Sequence, residues 1–113
     1  MVSRPLPCFL AVALACLAAS ASVRAQTAPI EVTLQADAFT PAEVKAPSNT
    51  PFVLKFINKD AAAAEIESKD LKVEKVVAGK SEIIVRVPAM QPGRYLFVNE
   101  YKEDTVKGFV VVE

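Results

Sequence analysis

Pro92-Gly93-Arg94-Tyr95-Leu96-Phe97-Val98-Asn99, an acidic loop, and then Val106-Lys107-Gly108-Phe109-Val110-Val111-Val112 are the stretches that decide the fold. Pro92 fixes φ and Gly93 accepts a positive φ, so a sharp turn is expected at residues 91–94. Alternation then puts Tyr95, Phe97 and Asn99 on one face of a strand. The valine-rich end reads as a second strand. Working outward, the same period of two runs through Ile30–Gln35 and Phe52–Asn58. Further short β-branched runs lie at Val73–Val77 and Ile83–Val87, each bounded by turn residues. Residues 46–51 read as a loop, and Ala78-Gly79-Lys80-Ser81 as a hairpin turn. Residues 61–67 contain four consecutive alanines, but seven residues make a marginal helix, so a loop entering a strand is expected there. The pattern predicts an all-β chain, a sandwich or barrel. The expected core is Phe39, Phe52, Leu54, Phe56, Ile83, Val85, Val87, Tyr95, Phe97, Phe109, Val110 and Val112.

The N-terminus reads differently. Arg4 is followed by an unbroken apolar run from Phe9 to Ala19 and then by Val23-Arg24-Ala25. Charge, apolar core and small residues at a cleavage site, in that order, describe a secretory signal. The expected division is residues 1–25 as signal peptide and 26–113 as one domain, which predicts a periplasmic protein. The run is short for a membrane span, which needs ~20 apolar residues. A membrane anchor, or lipidation at Cys16, is the competing use of the segment.

Cys8 and Cys16 are the chain's two cysteines, and it has no histidine. Cleavage after Ala25 removes both, leaving no disulfide and no thiolate ligand. It also removes Arg4 and Arg24 but no acid, so the remainder is slightly acidic with interspersed charges. No basic stripe is present to suggest a nucleic-acid partner. Without His or Cys there is no candidate for nucleophilic or histidine acid–base catalysis, and enzymatic activity is confined to metal-assisted oxidation.

Residues 92–99 and 106–112 resemble the end of a cupredoxin, in which Pro-Gly-x-Tyr-x-Phe-x-Cys leads through a ligand loop to Met-x-Gly and a closing strand. Phe39-Thr40-Pro41-Ala42-Glu43-Val44 with Pro51–Asn58 resembles the cupredoxin opening, whose Asn precedes the first ligand loop. The resemblance implies a Greek-key β-sandwich. It also shows what has changed. Asn99 stands at the cysteine position, Val106 at the methionine position, and Ala64-Glu65-Ile66-Glu67 where the first histidine falls. Type 1 copper needs those soft ligands, so it is excluded.

A narrower resemblance is carried by residues 65–71, by Glu74-Lys75-Val76-Val77 and by residues 100–108. These are similar to the cupredoxin-like component of bacterial iron uptake, the small periplasmic partner of ferrous-iron permeases or the EfeO-type domain. Two residues depart from that group: Ile66 replaces an aromatic, and Lys102 stands where a histidine is frequent. The resemblance implies that the first and last ligand loops meet at one end, bringing Glu65 and Glu67 near Glu100, Glu103 and Asp104. Carboxylates are hard donors suited to iron, manganese, calcium or magnesium. The expected ligands, in order, are Glu65, Glu100, Glu67, Glu103 and Asp104. The expected cargo is iron, or copper assisting iron oxidation. The expected partner is an iron permease or another periplasmic transport component, with the membrane reached only through it. The alternative is a metal-free sandwich that docks on a partner, its acids neutralised by Lys69, Lys102 and Lys107.

Overall fold

The computed structural model describes residues 2–5, 28–102 and 105–113. The apolar run, both cysteines and the expected cleavage site lie outside the described residues, as do Glu103 and Asp104. Among the described residues no helix is long and apolar enough to cross a membrane.

Strands β1 (Ile30–Gln35), β2 (Ala38–Thr40), β3 (Glu43–Ala46), β4 (Phe52–Asn58) and β5 (Ala64–Ser68) fill the first half. Strands β6 (Val73–Val77), β7 (Ser81–Val87), β8 (Gly93–Asn99) and β9 (Lys107–Val112) fill the second. A 3-10 turn at Glu100–Lys102 follows β8. The strands form two sheets, in the orders β2-β1-β4-β7 and β3-β9-β8-β5-β6. The pairs β1/β4 and β3/β9 are parallel and the others antiparallel. This is the expected β-sandwich, and residues 61–67 are a loop entering a strand, as the length argument required.

The core sits between the sheets. Every second residue of β4 points inward, so Phe52, Leu54, Phe56 and Asn58 are buried. Phe39, Phe56 and Phe97 meet edge to face at its centre, with ring centroids 4.9–6.2 Å apart. Such pairs contribute ~0.5–1.5 kcal/mol beyond the area they bury.

Several local expectations need correction. Phe109 is not core: on β9 the buried positions are Gly108, Val110 and Val112, so Phe109 faces outward. There it lies beneath the Arg94 guanidinium, 4.0 Å from the ring centre. Ile83 and Tyr95 are only partly buried, and the Tyr95 hydroxyl donates to Gln91 O at 2.7 Å. Gly93 does not have a positive φ, and in the 78–81 turn the left-handed residue is Lys80 (φ 55°), not Gly79. That turn is no hairpin either, because β6 and β7 belong to different sheets and it crosses between them.

The true two-residue hairpin joins β1 to β2 through Ala36 (φ 51°) and Asp37 (φ 56°). A left-handed alanine costs ~1–2 kcal/mol, part of which glycine gives back in chain entropy. Ala36→Gly is therefore expected to stabilise the fold by roughly 0.5–1 kcal/mol. A thermal melt should rise by a few degrees; an unchanged or lower Tm would show that the turn carries no such strain.

Candidate metal centre

The centre is built on β5. Its alternation buries Ala64, Ile66 and Ser68 and leaves Glu65 and Glu67 on the outer face. Antiparallel pairing with β6 sets Glu65 opposite Val76 and Glu67 opposite Glu74. Glu74 is thus the diagonal neighbour of Glu65 on the same face. The 3-10 turn that follows β8 brings Glu100 to the same place. One carboxylate oxygen from each of Glu65, Glu74 and Glu100 lies within 4.8 Å of the other two. Glu65 is half-buried, and Glu74 and Glu100 are exposed.

That spacing has a chemical meaning. Two oxygens bound to one cation stand at most twice the metal–oxygen distance apart. For calcium-sized ions at ~2.3–2.6 Å the limit is about 5 Å, and for magnesium-sized ions at ~2.0–2.1 Å it is about 4 Å. Each pair of the three carboxylates lies within the first limit. Like charges that converge repel one another, and a cation bound among them offsets that repulsion.

The outcome for the expected ligands is mixed. Glu65 and Glu100 come together. Glu67 does not join them: it lines a shallow groove with Lys69, Asp70 and Lys107. Glu103 and Asp104 lie in the same loop as Glu100 but outside the described residues. Glu74 was missed. Its outward place in Val73-Glu74-Lys75-Val76-Val77 is legible, but its nearness to Glu65 follows only from the β5–β6 register.

Lys102, expected among the acids, is drawn elsewhere. Its Nζ bonds Asp37 Oδ2 at 2.6 Å, on the β1–β2 turn of the other sheet. Lys45–Glu113, Lys55–Glu31, Lys55–Glu82 and Arg94–Glu43 also pair, and none of these four involves Glu65 or Glu74. The anchoring turn is itself held by Asp60, whose carboxylate accepts the N–H groups of Ala36 (2.7 Å) and Asp37 (3.2 Å). The Ala36 bond, then the Asp37 bond, with Lys80 and Lys102 nearby, hold the Asp60 carboxyl below its ordinary pKa.

Two buried asparagines shape the approach to the site. Asn58 Nδ2 donates to Ala62 O at 2.9 Å, and Asn58 Oδ1 accepts from Asp60 N at 3.0 Å, which folds the loop that enters β5. Asn99 Oδ1 accepts from Glu65 N at 3.1 Å and from Tyr101 N at 3.2 Å. Tyr101 itself is exposed rather than packed.

The donors do not fit type 1 copper. The chain has no histidine. Asn99, at the cysteine position, has both acceptor sites of its carbonyl oxygen taken by N–H groups. Val106, at the methionine position, is buried hydrocarbon.

The fold is similar to that of several known structures. A copper binding protein solved in the apo form superposes with a TM-score of 0.68 at 22% identity, covering 78% of this chain and 92% of that one. The metal binding domain of the Streptococcus pneumoniae D39 Cu(I)-exporting P-type ATPase CopA gives 0.64 at 18% identity, covering 75% and 84%. A purple cupredoxin from Nitrosopumilus maritimus gives 0.58 at 14% identity, covering 74% and 99%. In sequence, an uncharacterized protein of Rickettsia prowazekii (strain Madrid E) is 31% identical over 83 residues. That match covers 74% of this chain and 66% of the relative, just under two thirds of its length. The family model for the cupredoxin-like domain matches residues 7–112. The chain belongs to the cupredoxin-like domain family.

Proposed function

We propose that this protein is a periplasmic cupredoxin-like accessory component of iron uptake that binds its metal through carboxylates. Glu65, Glu74 and Glu100 are its primary ligands, and Glu103 and Asp104 supply further acid from the same loop. The observation that carries this reading is the meeting of three carboxylates from three chain segments within 4.8 Å. The pairing of Lys102 with Asp37 supports it, because the cation that would compete for the site is held elsewhere. An all-oxygen donor set favours iron or manganese over Cu(I), and it admits Cu(II) assisting iron oxidation. Two proteins of this fold are a copper binding protein and the Cu(I)-loaded metal binding domain of a copper-exporting ATPase; here the frame serves a harder ion. The N-terminal segment would direct export, and an iron permease in the membrane would receive the metal.

Calorimetric titration of the purified protein with Mn²⁺, with Fe²⁺ under anaerobic conditions, and with Cu²⁺ tests the reading. Binding well below millimolar Kd is expected for at least one ion. Glu65→Gln and Glu74→Gln should each weaken it about tenfold or more, equivalent to ~1.4 kcal/mol. If none of the three ions binds more tightly than millimolar, the metal reading fails, and a metal-free interaction module becomes the better account.

A further inference from the structure

We infer that Asn99 is the positioning residue of the carboxylate centre: its buried carboxamide fixes the backbone of two ligand-bearing segments relative to each other. This rests on the metal reading above and extends it from the ligands to what holds them. The joint between β5 and β8 is short, with register pairs only at Ile66↔Asn99 and Glu67↔Val98. Side chains extend it at both ends. At one end the Ser68 hydroxyl donates to Leu96 O at 2.7 Å and accepts from Leu71 N at 3.2 Å. At the other, Asn99 Oδ1 accepts the N–H of Glu65, a ligand, and the N–H of Tyr101, which follows the ligand Glu100.

One oxygen atom is therefore shared by the Glu65 peptide and the Glu100–Tyr101 turn. Asn99 is 3% exposed, so water does not replace it cheaply if it is removed. Its backbone N–H donates to Val106 O at 3.0 Å, and Val106 N donates to Lys102 O at 2.9 Å. The same residue thus closes the acidic loop on itself. With both lone pairs committed, Asn99 Oδ1 is not itself a ligand. Its action passes through Glu65 and Glu100, as outer partners of a metal site act through the groups they orient.

The test compares the purified parent with Asn99→Ala and Asn99→Asp by amide hydrogen exchange and Mn²⁺ titration. In Asn99→Ala, exchange at Glu65 and Tyr101 should quicken about tenfold or more. Its Mn²⁺ affinity should fall about 10–100-fold, the usual effect of losing such a partner. Asn99→Asp keeps both acceptors, so it should retain the protection and bind Mn²⁺ at least as tightly as the parent. If Asn99→Ala does not fold, Asn99→Asp carries the test, and loss of protection at Glu65 and Tyr101 there overturns the inference. Parental exchange and affinity in a folded Asn99→Ala overturn it equally. If the parent binds Fe²⁺ or Cu²⁺ but not Mn²⁺, the affinity comparison is made with that ion; if it binds none of the three, it is the carboxylate centre that fails, and exchange alone decides whether Asn99 ties the two segments together.

Discussion

Gly79→Ala is expected to leave little or no stably folded protein. A Cβ on Gly79 would lie 1.9 Å from Ala61 O and 2.5 Å from Ala61 C, with Asp60 O at 3.1 Å. These are backbone atoms, so no rotamer change relieves the overlap. Nor does the loop retreat freely. Asn58 holds Ala62 O and Asp60 N, Lys80 N donates to Asp60 O at 2.9 Å, and the Asp60 carboxylate is bonded to the β1–β2 turn. Moving it strains or breaks several hydrogen bonds worth ~0.5–1.5 kcal/mol each, on top of ~1–3 kcal/mol for overpacking. A domain of this size has only about 4–13 kcal/mol in total. Far-UV circular dichroism and urea titration should show a largely unfolded chain, or a midpoint displaced by more than a third. A melt within two or so degrees of the parent would sink the argument. The displaced loop enters β5 directly, so any folded remnant should also lose the metal binding proposed for Glu65.

Much of this architecture is legible in the sequence because strands report their own alternation. Phe52–Asn58 and Tyr95–Asn99 show which residues face inward before any partner is known. What alternation does not carry is which strand lies beside which. Glu74 escaped notice for that reason: its neighbour Glu65 is fixed by the β5–β6 register, whereas Glu100 was reached through the family resemblance. Lys102 is the sharper case. In sequence it stands among acids, but its partner Asp37 is 65 positions away on the opposite sheet. Phe109 failed differently. A valine-rich run looks buried throughout, yet a strand at a sandwich surface buries alternate residues only, and here glycine takes the inward place beside Phe109. Gly93 is expected to accept a positive φ and Gly79 to sit in a hairpin turn, and neither does so. Gly79 instead answers to a close approach from Ala61, a tertiary fact with no local signal.

Phe97→Ala should be the most costly core substitution, and its partner Gly108 makes the cost decomposable. The ring is 1% exposed and touches Phe39 and Phe56 at centroid distances of 4.9 and 5.3 Å. Truncating such a ring leaves a cavity at the junction of the two sheets and typically costs ~3–5 kcal/mol. That is a large part of the stability available, so the urea midpoint should fall steeply. Across the β8–β9 register Phe97 stands opposite Gly108. A Cβ there would lie 2.3 Å from Phe97 Cζ and 2.5 Å from Cε2. The glycine is thus the room the ring occupies, and Gly108→Ala alone should destabilise by ~1–3 kcal/mol. In the double variant the new methyl enters space the ring has vacated. Its main clash is gone, though a tight approach to Ala42 O at 3.1 Å remains. The double variant should therefore be less destabilised than the two single effects added together, with a coupling of about 1 kcal/mol or more. Simple additivity of the three urea midpoints would mean that the ring and the glycine are not matched, and that Gly108 is required for the Ala42 approach alone.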